Sequence, residues 1–228
     1  MANTKKITQS LKKHEGFKKE VYTCTAGVAT IGYGFALKDL NATERAIWGK
    51  ELRLTQDEVE GLIKSEVWHL LYMNEATAEE ILEVKVKATL KAVFSAWQWL
   101  AYRDSDLQDA FVEWVYQLGL KGVFGFVKSL ELIENYDYLC ASEEVLNSRW
   151  AKQTPKRAKA LSKVLKECAA RRQNVKSEFD KGKFDCHGAR CTPRNDANDK
   201  AGNDAGKGEV YNGEGLVKAL NSITARCE

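Results

Sequence analysis

Three side chains near the start of the chain have types and a spacing that could carry out hydrolysis. Eight residues separate Glu15 from Cys24, and five separate Cys24 from Thr30, within the stretch KKHEGFKKEVYTCTAGVATIGYG. A carboxylic acid that keeps its proton can protonate a leaving oxygen, while a thiol or hydroxyl opposite acts on water. Cleavage of a glycosidic bond needs that pair of functions. Singly, these residues are ordinary: a surface glutamate, a small buried thiol and a strand threonine.

The elements around these residues can be predicted from local patterns. Residues 3–14 are expected to be helical, with Ile7 and Leu11 at i, i+4 spacing, so Glu15 would stand at the helix end. Residues 17–37 are rich in β-branched and aromatic side chains with glycines between them, which indicates strands and turns. Glu15 would then project from a helix end toward the β region that carries Cys24 and Thr30.

The remaining sequence predicts helices. The capping box TQDE at Thr55 opens a helix through about Leu71, and further helices are expected near 87–101, 106–117, 122–134, 138–150 and 155–176. The plan is therefore α+β and mainly helical, with two lobes and a cleft between them. We expect a small lobe at about 15–54, a connecting helix at about 55–72 and a helical lobe at about 77–176, to which helix 3–14 belongs.

Residues 177–228 form a Gly/Asn/Asp-rich extension, whose end could form a short helix. The segment CHGARC within it, with His187 and Cys227, leaves three hypotheses open: a zinc site, a local disulfide after export, or idle thiols. The chain has six cysteines and no CxxC pair. In a cytosolic product we expect them to be reduced.

The composition and charge of the chain limit the kinds of partner that it is expected to bind. The net charge of 35 − 32 = +3 is too weak to indicate nucleic-acid binding. The sequence has no apolar run long enough for a transmembrane helix and no secretory signal, so we expect synthesis in a cytosol. We also expect a monomer. The basic residues of segment 155–176 are either a solvated helix face or a surface attracted to an anionic cell envelope.

The spacing of Glu15, Cys24 and Thr30, leading into Thr-Ile-Gly-Tyr-Gly, resembles the motif of the T-even-type phage lysozymes, glycoside hydrolase family 24. Two later blocks, QLGLKGVFGFVKSL and LNSRWAKQTPKRA, are similar to the family's cleft-lining and closing helical segments. The resemblance covers about residues 3–176. It implies cleavage of the β-1,4 bond between N-acetylmuramic acid and N-acetylglucosamine in peptidoglycan, without a metal or cofactor.

The resemblance also implies roles for single residues. Glu15 would be the general acid, Thr30 would help hold the attacking water, and Cys24 stands where the best-known members carry Asp. Phe35 stands where many members have His, which puts local stability in doubt. The candidate substrate-binding residues are Gln117, Arg157 and Gly32.

Chemistry narrows the role of Cys24. A free thiol has a pKa of about 8.5, and a neighbouring Glu15 anion is expected to raise it. Attack by the thiolate on the anomeric carbon would leave a stable thioglycoside, so we expect Cys24 to assist a water molecule in an inverting reaction. In an oxidising periplasm, pairing with a tail cysteine could silence it.

Three functions remain open at this point. The leading one is an endolysin, made in the host cytoplasm and released to the wall through a holin, either free or carried in the virion. The second is a catalytically impaired lysozyme-fold module for binding or virion structure, and the third is a lytic transglycosylase. Retention of Glu15 and Thr30 at the motif spacing argues against the second.

Overall fold

A computed structural model describes residues 2–180 of the chain, with the side chains of 176–180 excepted. The described part contains a three-stranded antiparallel sheet and nine α-helices. The strands are β1 (Lys18–Thr23), β2 (Ala29–Gly32) and β3 (Phe35–Ala36). The helices are α1 (Thr4–Glu15), α2 (Ala42–Leu52), α3 (Gln56–Lys64), α4 (Glu75–Ala96), α5 (Ser105–Phe124), α6 (Val127–Glu134), α7 (Tyr138–Leu146), α8 (Arg149–Gln153) and α9 (Pro155–Asp180). The predicted α+β class, mainly helical, is confirmed.

Helix α1 is set by its caps and by its apolar stripe. The side chain of Asn3 accepts from the backbone N–H of Lys6 at the start, and Gly16 ends the helix at a φ of 68°. Ile7 and Leu11 are fully buried where α1 packs against α4 and α5. The first helix of the sequence is thus part of the helical region, and it delivers its last residue, Glu15, to the edge of the sheet region.

The sheet is a hairpin followed by a short third strand, in the order β1-β2-β3. Tyr22 pairs with Thr30 across the hairpin, and the register shifts between Lys18 and Tyr22. Gly27 supplies the positive φ of 75° that the tight turn requires. Cys24 lies at the beginning of that turn, because its backbone N–H donates to the carbonyl of Val28 (3.0 Å).

The predicted connecting helix at about 55–72 is wrong in extent. Helix α3 begins after the Thr55 capping box, as expected, but it ends at Lys64. Glu66 takes the left-handed conformation (φ 56°), and the N–H of Val67 donates to the carbonyl of Leu62 (3.2 Å), which closes the helix in a Schellman-type cap. The long helix that follows the sheet region is α4, whose N-cap is Asn74.

Four more of the predicted helices differ from the observed ones. Helix α5 extends beyond 117 to Phe124 and is broken at Gly119 (φ 69°), so the helix predicted for 122–134 begins only at Val127. The helix predicted for 138–150 is two helices, since α7 ends at Leu146 and Ser148 caps α8. The predicted helix at 87–101 corresponds to the second half of α4 and a 3₁₀ turn at Gln98–Tyr102.

Aromatic rings fill the core of the helical region. Trp114 of α5 stacks with its ring centroid 4.8 Å from Phe126 and 5.8 Å from Trp150, and Phe111 lies 5.0 Å from Trp97. These contacts join α5, α8 and the turn before α6, and α9 packs on the same set through Leu161 and Leu165. Within residues 2–180, none of the helices has the length and apolar character needed to span a bilayer.

Candidate active site

Glu15 is held at its place by an ion pair with Arg157 of α9. The guanidinium donates to Oε1 of Glu15 at 2.5 Å, and both side chains are mostly buried, with 27% and 18% of their area exposed. The other carboxylate oxygen, Oε2, faces Gly34, where a side-chain carbon would approach it to 3.4 Å. Gly34 takes a φ of 79°, so the turn after β2 requires a glycine at the position beside this oxygen of Glu15.

The hairpin places Cys24 and Thr30 beside each other. Thr30 is buried in β2, and its hydroxyl donates to the carbonyl of Val28 at 2.9 Å. The same hydroxyl lies near the sulfur of Cys24, which is half-buried at the start of the turn. Cys24 and Thr30, the two residues expected to act on the water molecule, are thus adjacent in the fold.

The pKa of Cys24 is lowered, which is the opposite of the direction expected from a neighbouring Glu15 anion. Backbone N–H groups of the turn, first that of Val28 and then that of Ala26, stabilise the thiolate. The Thr30 hydroxyl adds a smaller effect in the same direction, whereas burial opposes it. The sequence-based expectation is corrected because it considered the nearest charge and omitted the dipoles of the turn.

The charge of Glu15 affects the pKa of two tyrosines, Tyr22 and Tyr116. Burial raises the pKa of Tyr22, and the negative charges of Cys24 and Glu15 raise it further. Burial also raises the pKa of Tyr116 on α5, and the charge of Glu15 adds to that effect. Tyr22 thus lies near both Glu15 at the helix end and Cys24 in the hairpin turn.

The three predicted substrate-binding residues have different surroundings. Gln117 accepts a hydrogen bond from Nε1 of Trp150 (3.2 Å), and Arg157 pairs with Glu15. Gly32 is buried at a φ of 65°, and an added side-chain carbon would lie 3.0 Å from the ring of Phe35. Gly32 is therefore required by the backbone, and substrate binding by these residues stays a prediction.

A cavity of about 320 Å³ opens between α1, α5, α8 and α9. Gln117 and Arg157 line it, whereas Glu15, Cys24 and Thr30 do not. Its wall also includes Glu113, whose pKa is raised mainly by burial, against the lowering effect of a hydrogen bond with Ser10. Arg157 thus lines this cavity and also pairs with Glu15, which does not line it.

Sequence reasoning did not single out Tyr22, Tyr116 and Glu113, and it gave Gly34 only as part of the Thr-Ile-Gly-Tyr-Gly turn. Tyr22 and Tyr116 lie near Glu15, and Glu113 lines the cavity together with Arg157. Glu113 carried a signal, since it interrupts the apolar run FVEWV of α5. A charged residue within such a run needs a partner or a function.

The basic face of α9 is smaller than the sequence indicated. Arg157 points inward to Glu15, and Arg171 pairs with Asp104 (3.2 Å). The exposed basic residues of this helix include Lys156, Lys159, Lys163 and Lys166. Among residues 2–175, no group of three or more His, Cys, Asp and Glu is arranged to hold a metal ion. The extension at 177–228, with its CHGARC segment and the short helix predicted for its end, lies outside the residues whose side chains are described.

Comparison with known proteins agrees with this geometry. A family model described as phage lysozyme matches residues 12–174. A protein named probable T4-type lysozyme 2 of Dictyostelium discoideum is 31% identical over 165 residues, which cover 70% of this chain and 92% of that protein. Probable T4-type lysozyme 1 of the same organism is 30% identical over 164 residues, with the same coverage. The matched region contains Glu15, Cys24, Thr30 and Arg157.

Proposed function

Because the chain belongs to the phage lysozyme family, we propose that it is an endolysin-type muramidase that hydrolyses the β-1,4 bond between N-acetylmuramic acid and N-acetylglucosamine. Family membership supports the coarser statement on its own: the chain is a lysozyme-type glycosidase whose substrate is peptidoglycan. The observation that carries the finer proposal is the geometry of the site: Arg157 holds Glu15 beside Gly34, and the hairpin places Cys24 next to Thr30.

Glu15 is the general acid of the proposed reaction. Its Oε1 is occupied by Arg157, so Oε2, the oxygen that faces Gly34, is the one available to deliver a proton. From there the proton passes to the glycosidic oxygen as the bond to the anomeric carbon breaks. The Gly34 position has no side chain, which leaves room for a sugar ring beside the acid.

Cys24 and Thr30 act on the attacking water. The turn N–H groups lower the pKa of Cys24 and so increase the fraction of thiolate, which can accept a proton from water. The oxygen of that water forms the new bond to the anomeric carbon on the face opposite the leaving group, which inverts the configuration. One proton exchange with solvent then returns Cys24 and Glu15 to their starting forms.

We further propose that the protein is a monomer made in the host bacterial cytoplasm, and that it reaches the peptidoglycan after release through a holin. The exposed lysines of α9 support an electrostatic contact with the anionic envelope. This contact would be weak and sensitive to salt. The low net charge gives no support for nucleic-acid binding.

Digestion of purified peptidoglycan by the parent and by Glu15→Gln tests the function. Mass spectrometry should find reducing muramic acid ends with the parent and at least ~100-fold less product with Glu15→Gln. Glu80→Gln, the same change at an exposed position of α4, is the matched control and should leave the rate unchanged.

Each other product pattern contradicts one part of the proposal. Ends with a 1,6-anhydro ring would identify a lytic transglycosylase, and no product from the folded parent would identify a binding or virion module. NMR of the first-formed anomer tests the stereochemistry, since a retained configuration excludes the inverting reaction.

A further inference from the structure

The turn between β2 and β3, formed by Tyr33 and Gly34, lies beside the proposed acid. A side-chain carbon at position 34 would lie 3.4 Å from Oε2 of Glu15. On the other side of the turn, Thr30 of β2 pairs with Ala36 of β3. The position of this β2–β3 turn therefore affects the separation between Glu15 and the strand that carries Thr30.

Tyr33 supplies the side chain that can hold this turn in place. The backbone at Gly32 and Gly34 has positive φ values of 65° and 79°, and glycine restricts its own conformation least of all residues. The Tyr33 side chain is almost fully buried, with its ring centroid 5.6 Å from that of Phe17. Its hydroxyl donates to Oε1 of Glu75 at 2.8 Å.

The acceptor of this hydrogen bond belongs to a long helix. Glu75 is the first residue of α4, which has 22 residues and packs against α1, α2 and α5. A negative charge at a helix N-terminus is favourable, so Glu75 suits its place as an ionised acceptor. The hydrogen bond thus attaches the β2–β3 turn to the helical region.

Lys12 joins the same contact from α1, three positions before Glu15. Its Nζ lies 3.6 Å from Oε1 of Glu75 and 5.7 Å from the centroid of the Tyr33 ring. Lys12 also forms an ion pair with Glu79, one turn further along α4. These contacts bring the end of α1, the start of α4 and the β2–β3 turn together at one point.

The hydroxyl of Tyr33 remains a donor at neutral pH. Burial raises the pKa of Tyr33 to about 12, and the hydrogen bond with Glu75 also raises it. The attachment of the turn therefore does not depend on a group that loses its proton in the working range of a hydrolase. Precise placement matters here, because a shift of about 1 Å between reacting groups can cost a factor of ~100 in rate.

We propose that Tyr33 and Glu75 are positioning residues for the reaction. Their hydrogen bond holds the β2–β3 turn against Glu15 and so fixes the acid relative to Thr30. The inference rests on the proposed role of Glu15 as general acid. Neither Tyr33 nor Glu75 contacts the substrate in this scheme.

Kinetics on soluble peptidoglycan fragments test the proposal. Tyr33→Phe keeps the ring and removes the hydroxyl, whereas Glu75→Ala removes the acceptor. Each should lower kcat per folded molecule roughly 5–10-fold and leave KM near that of the parent. The double variant should fall no further than either single one, because both changes remove the same hydrogen bond. Glu75→Gln keeps an acceptor oxygen and should restore most of kcat.

Two matched controls make the same changes elsewhere. Tyr102→Phe alters an exposed tyrosine of the 3₁₀ turn after α4, and Glu80→Ala alters an exposed glutamate of α4 itself. Both should keep the kcat of the parent. The proposal is overturned if Tyr33→Phe and Glu75→Ala also keep it, or if their effects add in the double variant. Circular dichroism gives the folded fraction of each variant.

A second measurement separates this inference from the function on which it rests. Hydrogen exchange followed by mass spectrometry reports on the backbone of residues 30–36 without catalysis. Exchange there should be at least ~3-fold faster in Tyr33→Phe and Glu75→Ala than in the parent, and unchanged in both controls. An inactive parent with this pattern contradicts the proposed function alone. An active parent whose variants show unchanged exchange contradicts the inference alone.

Discussion

Arg157 and Glu15 are 142 positions apart in the chain, and their side chains form a hydrogen-bonded ion pair of 2.5 Å. The contact joins the end of the first helix to the first turn of the last described helix. Arg157 was predicted to bind substrate, and that role remains a prediction. The ion pair gives Arg157 a second role, since it fixes one oxygen of the proposed acid and leaves the other one available.

Replacement of Arg157 should lower both activity and stability, because its guanidinium fixes Oε1 of Glu15. In Arg157→Ala the Glu15 side chain loses this hydrogen bond, so kcat on purified peptidoglycan should fall at least ~10-fold. The fold should lose about 1–3 kcal/mol, as expected for a charged hydrogen bond of low exposure. Arg157→Lys keeps the charge and should stay closer to the parent in both respects. Full activity in Arg157→Ala would contradict this positioning role.

Cys24 should react with iodoacetamide faster than the other described cysteines at neutral pH. Turn N–H groups lower its pKa, whereas the carboxylate of Asp137 raises the pKa of Cys140, and burial raises the pKa of Cys168 to about 12. Cys140 is the more exposed thiol, so access alone predicts the reverse order. Peptide mapping by mass spectrometry after brief alkylation measures the order. Faster labelling of Cys140 would show that exposure outweighs the effect of the turn.

Cys24→Ala should reduce hydrolysis at least ~10-fold if the thiol acts on the water. Cys24→Asp, which introduces the residue found in the best-known relatives, should retain or increase activity. Cys24→Ser keeps the size but does not ionise near neutral pH, so it separates a base from a polar placeholder. Full activity in Cys24→Ala would remove Cys24 from the mechanism.

Glu113 should make the protein less stable as pH rises. Its pKa is raised in the folded state, mainly by burial, so the folded protein binds the proton more tightly than the unfolded chain. Stability is therefore lost as pH rises from the unfolded pKa through the folded one. Glu113→Gln lacks this loss and should have the higher Tm at about pH 7, with the difference shrinking toward about pH 4. A difference in Tm that does not change with pH would point to packing instead.

The buried pair of Glu44 and Lys85 should contribute strongly to stability. Glu44 is almost fully buried in α2, and Nζ of Lys85 on α4 lies 2.9 Å from its Oε2. Lys85→Met leaves the Glu44 charge without this cation and should cost about 3 kcal/mol in the free energy of unfolding. The double variant Glu44→Gln, Lys85→Met should recover part of the loss. Urea unfolding measures the free energy of unfolding of the single and the double variant. Equal losses in the two variants would show that the charge pair itself contributes little to stability.

The sequence predicted the elements better than their ends. The capping box at Thr55 placed the start of α3 correctly, since the pattern is local. Its end at Lys64 depends on Glu66 in a left-handed conformation, a role that sequence patterns assign to glycine or asparagine. The break of α5 at Gly119 shows the same limit, because a glycine within an apolar helix has no single local outcome.

The candidate site was predicted residue by residue, but its electrostatics were not. The spacing identified Glu15, Cys24 and Thr30 as candidates because the whole motif lies within one short segment. The groups that lower the pKa of Cys24 are backbone N–H groups. Every residue except proline has one, so the amino-acid types give no indication of this effect. Arg157 meets Glu15 only through the packing of α1, α5 and α9, contacts between segments distant in sequence.

The packing of α1 against α4 and α5 also has a consequence for synthesis on the ribosome. Ile7 and Leu11 leave the ribosome early, but the helices that bury them follow much later, and Arg157 follows 142 positions after Glu15. At about 5–20 residues per second, that separation corresponds to roughly 7–28 seconds of translation. A nascent chain of this protein therefore carries its proposed acid long before the ion pair can form. The candidate active site can therefore assemble only after the first 157 of the 228 residues have been synthesised.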